Sequence, residues 1–276
     1  MTSTPESELF FVGTATTLIR FGPFRVLTDP NFLHRGEQVH VGYGLRATRL
    51  TDPAIELADL PPTDLVVLSH FHEDHFDRLV QERLDRNLTI LTTPQAASAL
   101  QALGFRDARA LETWQTWSFR KHDLRLRVTA LPARHTPLRV MQPFLPTVMG
   151  SLLEFSAVND PRPVLRIYVS GDTLVHGDLR EIPRRFPDID LALLHLGGTR
   201  IMGVLLTMDG RQGVEALRIV DPAQAVPIHY DDYDVFRSPL DDFRREVERA
   251  GLSNRVRYMA RGDRLPLRPR IGAPRH

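Results

Sequence analysis

The chain has 276 residues, 35 basic against 34 acidic, and no cysteine. That length suits one large α/β domain better than two small ones. The near-cancellation of charge speaks against nucleic acid as an obligatory partner, because phosphate binding shows as a basic excess. Without cysteine, disulfides and thiolate metal ligands are both excluded, so imidazole and carboxylate must hold any metal. Met1 to Glu8 is polar and acidic rather than signal-like, and no apolar run approaches the ~18 residues of a membrane span. A cytoplasmic protein is the expectation.

Leu9–Val12 and Thr16–Phe21 read as strands, and Gly22-Pro23 turns the chain into Phe24–Thr28 as a hairpin partner. Asp29-Pro30 ends that strand. Residues 31–53 are irregular, with Gly36, Gly42 and Gly44, and with His34 and His40 as loop residues. A long loop on a compact domain is often part of a binding site.

Leu65-Val66-Val67-Leu68 has the length and branching of a buried strand. It runs directly into Ser69-His70-Phe71-His72-Glu73-Asp74-His75-Phe76-Asp77. Three imidazoles and several carboxylates crowd the point where a buried strand reaches the surface. Packed imidazoles repel one another when protonated and are poorly solvated when neutral, so a divalent cation is the natural compensation. His70 and His72, two apart on extended chain, point the same way and can each offer a ring nitrogen to one ion. Asp74 and His75 follow a turn and face a neighbouring position. The plainer alternative is a polar turn with a helix-start aspartate and surface histidines.

A helix is predicted beyond Asp77, carrying Leu79, Val80 and Leu84, followed by a strand at Leu88–Leu91. Pro94 marks another helix start, and Ala96–Leu103 runs helical until Gly104 caps it. Trp114 and Trp117 suit core or edge packing. Leu124–Val128 alternates as a strand, and a later strand end carries Arg134-His135-Thr136. Residues 137–146 are apolar but broken by proline: either a loop folded onto the core or a wall of a pocket, since pockets are mostly apolar. Gly150–Phe155 returns as a strand. Arg166–Val169 then leads into Ser170-Gly171-Asp172-Thr173, where glycine permits a tight turn. His176 reads as a surface residue. A helix over 178–186 precedes a strand at Ile189–Leu194, which ends in His195. Thr207 is the expected cap of a helix from Met208 towards Val220. Ala225–Ile228 leads to His229-Tyr230. The last helix is expected to open with Ser238 as cap and Pro239 at its first position.

The His70–Asp77 stretch resembles the signature of the metallo-β-lactamase superfamily, and S-G-D-T and P-I-H-Y continue the resemblance over most of the chain. It implies a four-layer αββα sandwich, here a single domain over residues 1–276 with 1–8 and 267–276 mobile. It also implies a two-metal site at one edge. By resemblance His70, His72 and His135 hold one ion, Asp74, His75 and His229 the other, and Asp172 bridges. Asp29 then either supports the ligands or is a simple turn residue. The run from Gly13 through L-x-D-L-P looks more closely like the branch containing ascorbate-phosphate lactonases and N-acyl-phosphatidylethanolamine phospholipase D. Leu174, in place of the glycine expected there, and the apolar 137–146 loop depart from that pattern.

The expected cofactors are two divalent ions, zinc first, with manganese or iron as alternatives. The expected activity is hydrolysis of an ester, lactone or related bond of a small molecule by a metal-bridging hydroxide, with Asp74 holding or relaying the proton. Met141, Phe144, His195, Arg200 and Tyr230 are the candidate substrate contacts. One alternative is a phosphodiesterase acting on lipid or nucleotide, for which Arg134, Arg139 and Arg200 would supply positive charge. Another is a non-catalytic, metal-stabilised binding protein. No transmembrane segment is expected, and a homo-oligomer stays open.

Overall fold

Alternation along the strands decides the architecture. In a computed structural model describing residues 7–41, 46–136, 145–201 and 203–270, successive apolar residues of one strand enter two different cores. The first half of the chain supplies β1 (Glu8–Gly13), β2 (Thr16–Phe21), β3 (Phe24–Thr28), β4 (Gln38–His40), β5 (Arg46–Thr48), β6 (Leu65–Val67), α1 (Arg78–Arg83), β7 (Thr89–Thr92), α2 (Pro94–Ala102) and β8 (Ala108–Ala110). The second half supplies β9 (Thr116–Lys121), β10 (Leu124–Pro132), β11 (Met149–Ala157), β12 (Asp160–Val169), α3 (Glu181–Arg185) and β13 (Leu191–His195). It continues with β14 (Arg200–Ile201), β15 (Val204–Leu205), α4 (Gly210–Val220), β16 (Gln224–Ile228), α5 (Leu240–Arg249) and β17 (Arg264–Pro266).

Two sheets form, in the orders β17-β1-β2-β3-β6-β7-β8 and β16-β13-β12-β11-β10-β9, with β4-β5 and β14-β15 as separate small pairs. Leu9 and Phe11 of β1, Leu65 and Val67 of β6, Leu153 and Phe155 of β11, and Leu191 and Leu193 of β13 meet between the sheets. Their neighbours face outwards. Phe10, Val12, Val66 and Leu68 pack under Val80 and Leu100 of α1 and α2. Leu152, Tyr168, Ala192 and Leu194 pack under Ile182, Val214, Leu217, Phe243 and Val247 of α3, α4 and α5. Strands covered on both faces read as unbroken apolar runs, which is why Leu65–Leu68 does. The result is the αββα sandwich.

Within each sheet, β3, β6 and β7 run parallel, as do β12, β13 and β16. Their carboxyl ends therefore gather at one edge, the usual place for a ligand in an α/β sheet. There the two sheets are also stitched together, with the Met149 amide donating to the Ser69 carbonyl at 3.0 Å.

Several local expectations are corrected. α4 is capped by Asp209, whose carboxylate accepts from the Gln212 amide, while the Thr207 hydroxyl accepts from the Thr199 amide at 2.9 Å. Pro239 is the residue before α5 proper. Ser238 instead accepts from the Gly210 amide at 3.1 Å, joining the starts of the two helices. The 178–186 segment divides into a 3-10 turn over Gly177–Arg180 and the short α3. Pro183 offers no amide proton to carry one helix through. His176 is not a surface residue, its side chain being only 4% exposed. Of the stretches expected to be mobile, residues 7–8 and 267–270 are described, and they are anchored. Glu8 lies in β1, paired with Arg20 and Pro266. Leu267 is buried, its amide donates to the Ser7 carbonyl at 2.8 Å, and Arg270 grips Asp190 through two contacts at 2.7 and 2.9 Å. No helix among the described residues is long and apolar enough to cross a membrane.

Phe155 carries much of the contact between the sheets, its ring centroid lying 4.6 Å from Phe21 and 6.0 Å from Phe24. Phe155→Ala should lower stability by about 3–5 kcal/mol through lost burial and the cavity left behind. Denaturant unfolding measures this, and a loss under about 1 kcal/mol would mean that the sheets do not depend on this ring.

Candidate metal centre

Each candidate ligand sits where a strand gives out. His70 and His72 follow β6, His135 follows β10, Asp172 follows β12 and His229 follows β16. After His72 the chain makes one tight turn, with the amides of His75 and Phe76 both donating to the His72 carbonyl at 3.0 and 2.8 Å. That turn swings Asp74 and His75 back towards the strand ends. Asp77 then caps α1, accepting from the Val80 amide at 2.8 Å. At Gly171 φ is +61°, and a Cβ there would lie 2.7 Å from the Met149 carbonyl oxygen, so only glycine fits the turn that presents Asp172.

All seven residues come together in two groups. Nitrogens of His70, His72 and His135 lie within 4.8 Å of one another, as do donor atoms of Asp74, His75, Asp172 and His229. Asp172 lies between the groups: its carboxylate is 3.3 Å from His75 Nε2, 3.6 Å from His229 Nδ1 and 4.0 Å from His70 Nε2. Asp74 is 3.5 Å from His229 Nε2 and 3.7 Å from His75 Nε2. All are buried except His72, which is partly open. Asp74 Oδ1, His75 Nε2, Asp172 Oδ1 and His229 Nε2 are buried without a hydrogen-bond partner. Unpaired buried polar atoms are costly. Here they are all oxygen or nitrogen donors aimed at a shared space, a set that fits divalent cations such as zinc.

The electrostatics divide along the same line. Burial, followed by the neighbouring imidazoles His75 and His72, holds His70 well below the usual histidine range, and burial brings His72 down to about 4. His135 is lowered chiefly by burial. These shifts favour the neutral rings, and His70 Nε2 and His72 Nδ1 lie 3.2 Å apart, facing each other. In the second group burial again opposes charge, but the carboxylates overcome it. Asp172 and Asp74 push His75 well above its ordinary value, and Asp172 with Asp74 raises His229. Asp74 stays ionised, brought down to about 2 against the penalty of burial by His75 and His229.

A surrounding layer fixes the rings from behind. Ser69 Oγ is 2.9 Å from His70 Nδ1. The carbonyls of Leu206 and Leu196 accept from Nδ1 of His135 and His229 at 3.0 and 3.3 Å. Asp29, buried and with φ of +35°, accepts from the Ser69 amide at 2.7 Å and lies 3.5 Å from His75 Nδ1. It therefore does more than turn the chain. Partners of this kind orient metal-binding imidazoles and raise their basicity. His195 is fully buried behind them, its Nε2 3.3 Å from Asp29 and its Nδ1 3.2 Å from Ser170 Oγ.

The substrate-contact expectations fare differently. His195 is fully buried and groups with Asp29 and His75, their donor atoms lying within 4.8 Å of one another. Tyr230 points away from the cluster, its hydroxyl donating to the Met259 carbonyl at 3.4 Å, because its ring packs in the core under α5. Arg200 is ion-paired with Asp209 at 3.6 Å. Met141 and Phe144 lie outside the described residues, as does the 137–144 part of the apolar loop. Of its end, Leu145 is buried against Leu206. Beside His135 opens a cavity of about 580 Å³, walled by Thr93, Pro94, Leu111, Arg134, Leu145 and Met149 among others. The residues that the sequence reading passed over are Ser69 and Ser170, each immediately ahead of a ligand motif. Arg49, Asn31 and Asp232 were also passed over, with no pattern in the sequence to mark them.

The comparisons with known proteins bear on the same stretch. The sequence profile of the β-lactamase superfamily domain matches residues 24–230, from β3 to just past His229, and so spans all seven clustered residues. The chain belongs to the β-lactamase superfamily. Among its relatives there, a metal-dependent hydrolase of Nanoarchaeum equitans is 24% identical, over 74% of this chain and 85% of its own. A metal-dependent hydrolase of Rubrobacter xylanophilus is 25% identical, over 92% of this chain and 96% of its own. In fold, the chain is similar to the isothiocyanate hydrolase from Delia radicum gut bacteria, with a TM-score of 0.77 at 18% identity, over 95% of this chain and 99% of that one.

Asp29→Asn keeps the shape of this layer and removes its charge. The variant should fold and bind divalent ions about 10–100-fold more weakly, the usual effect of losing such a partner. Competition with a chromophoric chelator measures it, and wild-type affinity would reduce Asp29 to a turn residue.

Proposed function

We propose that the protein is a dinuclear metal-dependent hydrolase cleaving an ester, lactone or related bond of a small, uncharged molecule. The observation that carries this is the convergence of nitrogen and oxygen donors from four strand ends, with Asp74 Oδ1, His75 Nε2, Asp172 Oδ1 and His229 Nε2 buried and unpartnered. In this reading His70, His72 and His135 hold one ion, and Asp74, His75 and His229 the other, with Asp172 shared between them. Zinc suits the donor set best, with manganese and iron as alternatives. When bound, such ions polarise a substrate oxygen and bring the ionisation of water from about 15.7 to near neutral pH.

The chain's own groups do the rest. Asp74, ionised and with Oδ1 unpartnered, orients the attacking water and accepts its proton. His72, the most open of the ligands, stands at the mouth of the site. The cavity beside His135 takes the substrate body, and its walls are mixed, an apolar part of Pro94, Leu111, Leu145, Pro146, Val148 and Met149 facing polar groups such as Thr93, Gln95 and Thr147. Two opposite charges line it, Glu112 and Arg134, and Arg134 is already paired with Asp178 at 3.5 Å. With Arg134 and Arg200 both held by carboxylates, a phosphodiester finds little free positive charge among the described residues. A neutral substrate with an apolar portion fits better.

Elemental analysis after gentle purification should find about two divalent ions per chain, bound through nitrogen and oxygen alone. A value near zero, even after incubation with zinc, manganese or iron, would sink the proposal. The metal-loaded protein should hydrolyse members of a panel of esters, lactones and isothiocyanates in preference to phosphodiesters. His72→Ala and Asp172→Ala should abolish that activity while leaving the fold intact. Wild-type-like rates in either variant would rule out the mechanism.

A further inference from the structure

Arg49 is the largest fully buried side chain in the molecule, a permanent cation at 0% exposure. Its Nη1 donates to Asn31 Oδ1 and its Nε to the Thr51 carbonyl at 3.0 Å. Its Nη2 lies 3.5 Å from Asp232 Oδ1, and its guanidinium sits 5.2 Å from the centre of the Tyr233 ring. Asp232 is also fully buried. Asp232 Oδ1 also accepts from the Thr51 hydroxyl and from Arg261 Nη1, the latter at 3.4 Å, so two arginines share one buried carboxylate. Such an arrangement is costly to desolvate and contributes little net stability, so its use must be sought in what it fixes.

It fixes two things, both at the metal centre. Asn31 passes the Arg49 contact on, its Nδ2 donating to the Glu73 carbonyl at 2.9 Å. Glu73 is the residue between His72 and Asp74, at the start of the tight turn. Asp232 passes on the other arm: its Oδ2 accepts from the Thr14 amide at 2.8 Å, and the Thr14 carbonyl accepts from the His229 amide at 2.8 Å. Thr14 and His229 both have left-handed backbones, with φ of +51° and +62°. Non-glycine residues hold such conformations only where the surroundings over-determine them. Among the described residues, Arg49, Asn31 and Asp232 make no direct hydrogen bond or ion pair with His70, His72 or His135; only a longer path, from the Asn31 amide to Thr16 Oγ1, on to the Asp29 carbonyl and through Ser69, reaches His70.

We propose that Arg49 is a positioning residue for one half of the metal centre, setting Asp74 through Asn31 and His229 through Asp232 and Thr14. The proposal rests on the two-metal reading given above. It makes the loop between β3 and β6 a determinant of the second ion's affinity, although that loop supplies no ligand. Lysine cannot replace Arg49 fully, because one ammonium can pair with Asp232 but cannot fork to Asn31 as well.

The test is a zinc titration of the chelator-stripped full chain against a chromophoric competitor, for wild type, Arg49→Met, Arg49→Lys and Asn31→Ala. Circular dichroism establishes that each variant is folded. Wild type should bind two equivalents. Arg49→Met should weaken one equivalent about ten-fold or more and leave the other unchanged. Arg49→Lys should fall between Arg49→Met and wild type. Cobalt substitution gives a second readout, in which the absorption bands of only one site should shift. Two unchanged equivalents in folded Arg49→Met, or two weakened alike, would overturn the proposal. If the Arg49 variants do not fold, Asn31→Ala decides it by the same criterion, since it cuts only the arm to Glu73. Wild type binding fewer than two ions would overturn the two-metal reading itself, and is seen before any variant is compared.

Discussion

The molecule is built around an unfavourable arrangement: several imidazoles and two carboxylates brought together, out of water, with donor atoms left unpaired. Left alone, each such atom opposes folding. The strands place them there regardless, because β3, β6, β12, β13 and β16 all end at one edge and each ends in or leads into polar side chains, with β10 adding His135. Two kinds of compensation are available. From behind, Asp29, Ser69, Ser170 and two backbone carbonyls take up the outer ring nitrogens. On the inner side, nothing in the described chain takes up Asp74 Oδ1, Asp172 Oδ1, His75 Nε2 or His229 Nε2. That asymmetry, a satisfied outer face and an unsatisfied inner one, is what makes the cluster a cation site rather than a buried polar network.

The two halves of the centre are not equivalent. The His70, His72 and His135 group is uncharged and kept so by burial, whereas the other group draws charge onto His75 and His229 through its carboxylates. The neutral triad is therefore ready to coordinate as it stands. The charged group must release protons as it takes up an ion, so its affinity depends on pH and on how well its members are held in place. The supports match this division. The rings of His70, His135 and His229 are each anchored by a direct contact, to Ser69, the Leu206 carbonyl and the Leu196 carbonyl, while the backbones at Asp74 and His229 are tied in addition to a longer chain of contacts that includes the buried Arg49.

Substrate access follows from the same geometry. Among the described residues, His72 is the partly open member of the cluster, and His135 borders the cavity bounded by the start of α2 and by residues 145–149. The mixed polar and apolar lining of that cavity, and the pairing of Arg134 and Arg200 with acidic neighbours, leave little net charge around it, in keeping with the net charge of +1 over the whole chain.

The sequence alone marked the buried strand and the crowded donors at its end, for a physical reason, while the layered fold and the later ligands came from the family resemblance. A doubly covered strand must be an unbroken apolar run, and histidines and aspartates packed at its end have few stable uses besides metal. Leu65–Asp77 and Ser170–Thr173 carry both signals within a few residues of chain, and the hairpin from Leu9 to Thr28 carries its own turn. Contacts between distant segments left no such mark. Arg49 is one of many arginines in the sequence, and only the burial it meets beside Asp232 and Asn31 gives it a role. His195 shares the strand-end placement of the ligands, yet the register of β13 against β12 and β16 sets it behind Asp29. Tyr230 follows a ligand directly, but the left-handed backbone at His229 turns its ring into the core. Helix starts at Asp209 and Leu240 slipped for a related reason: Ser238 bonds across to Gly210 instead of capping its own helix. Local pattern decides what a segment can become, whereas only the assembled chain decides which side of a strand end faces the metals and which faces the core.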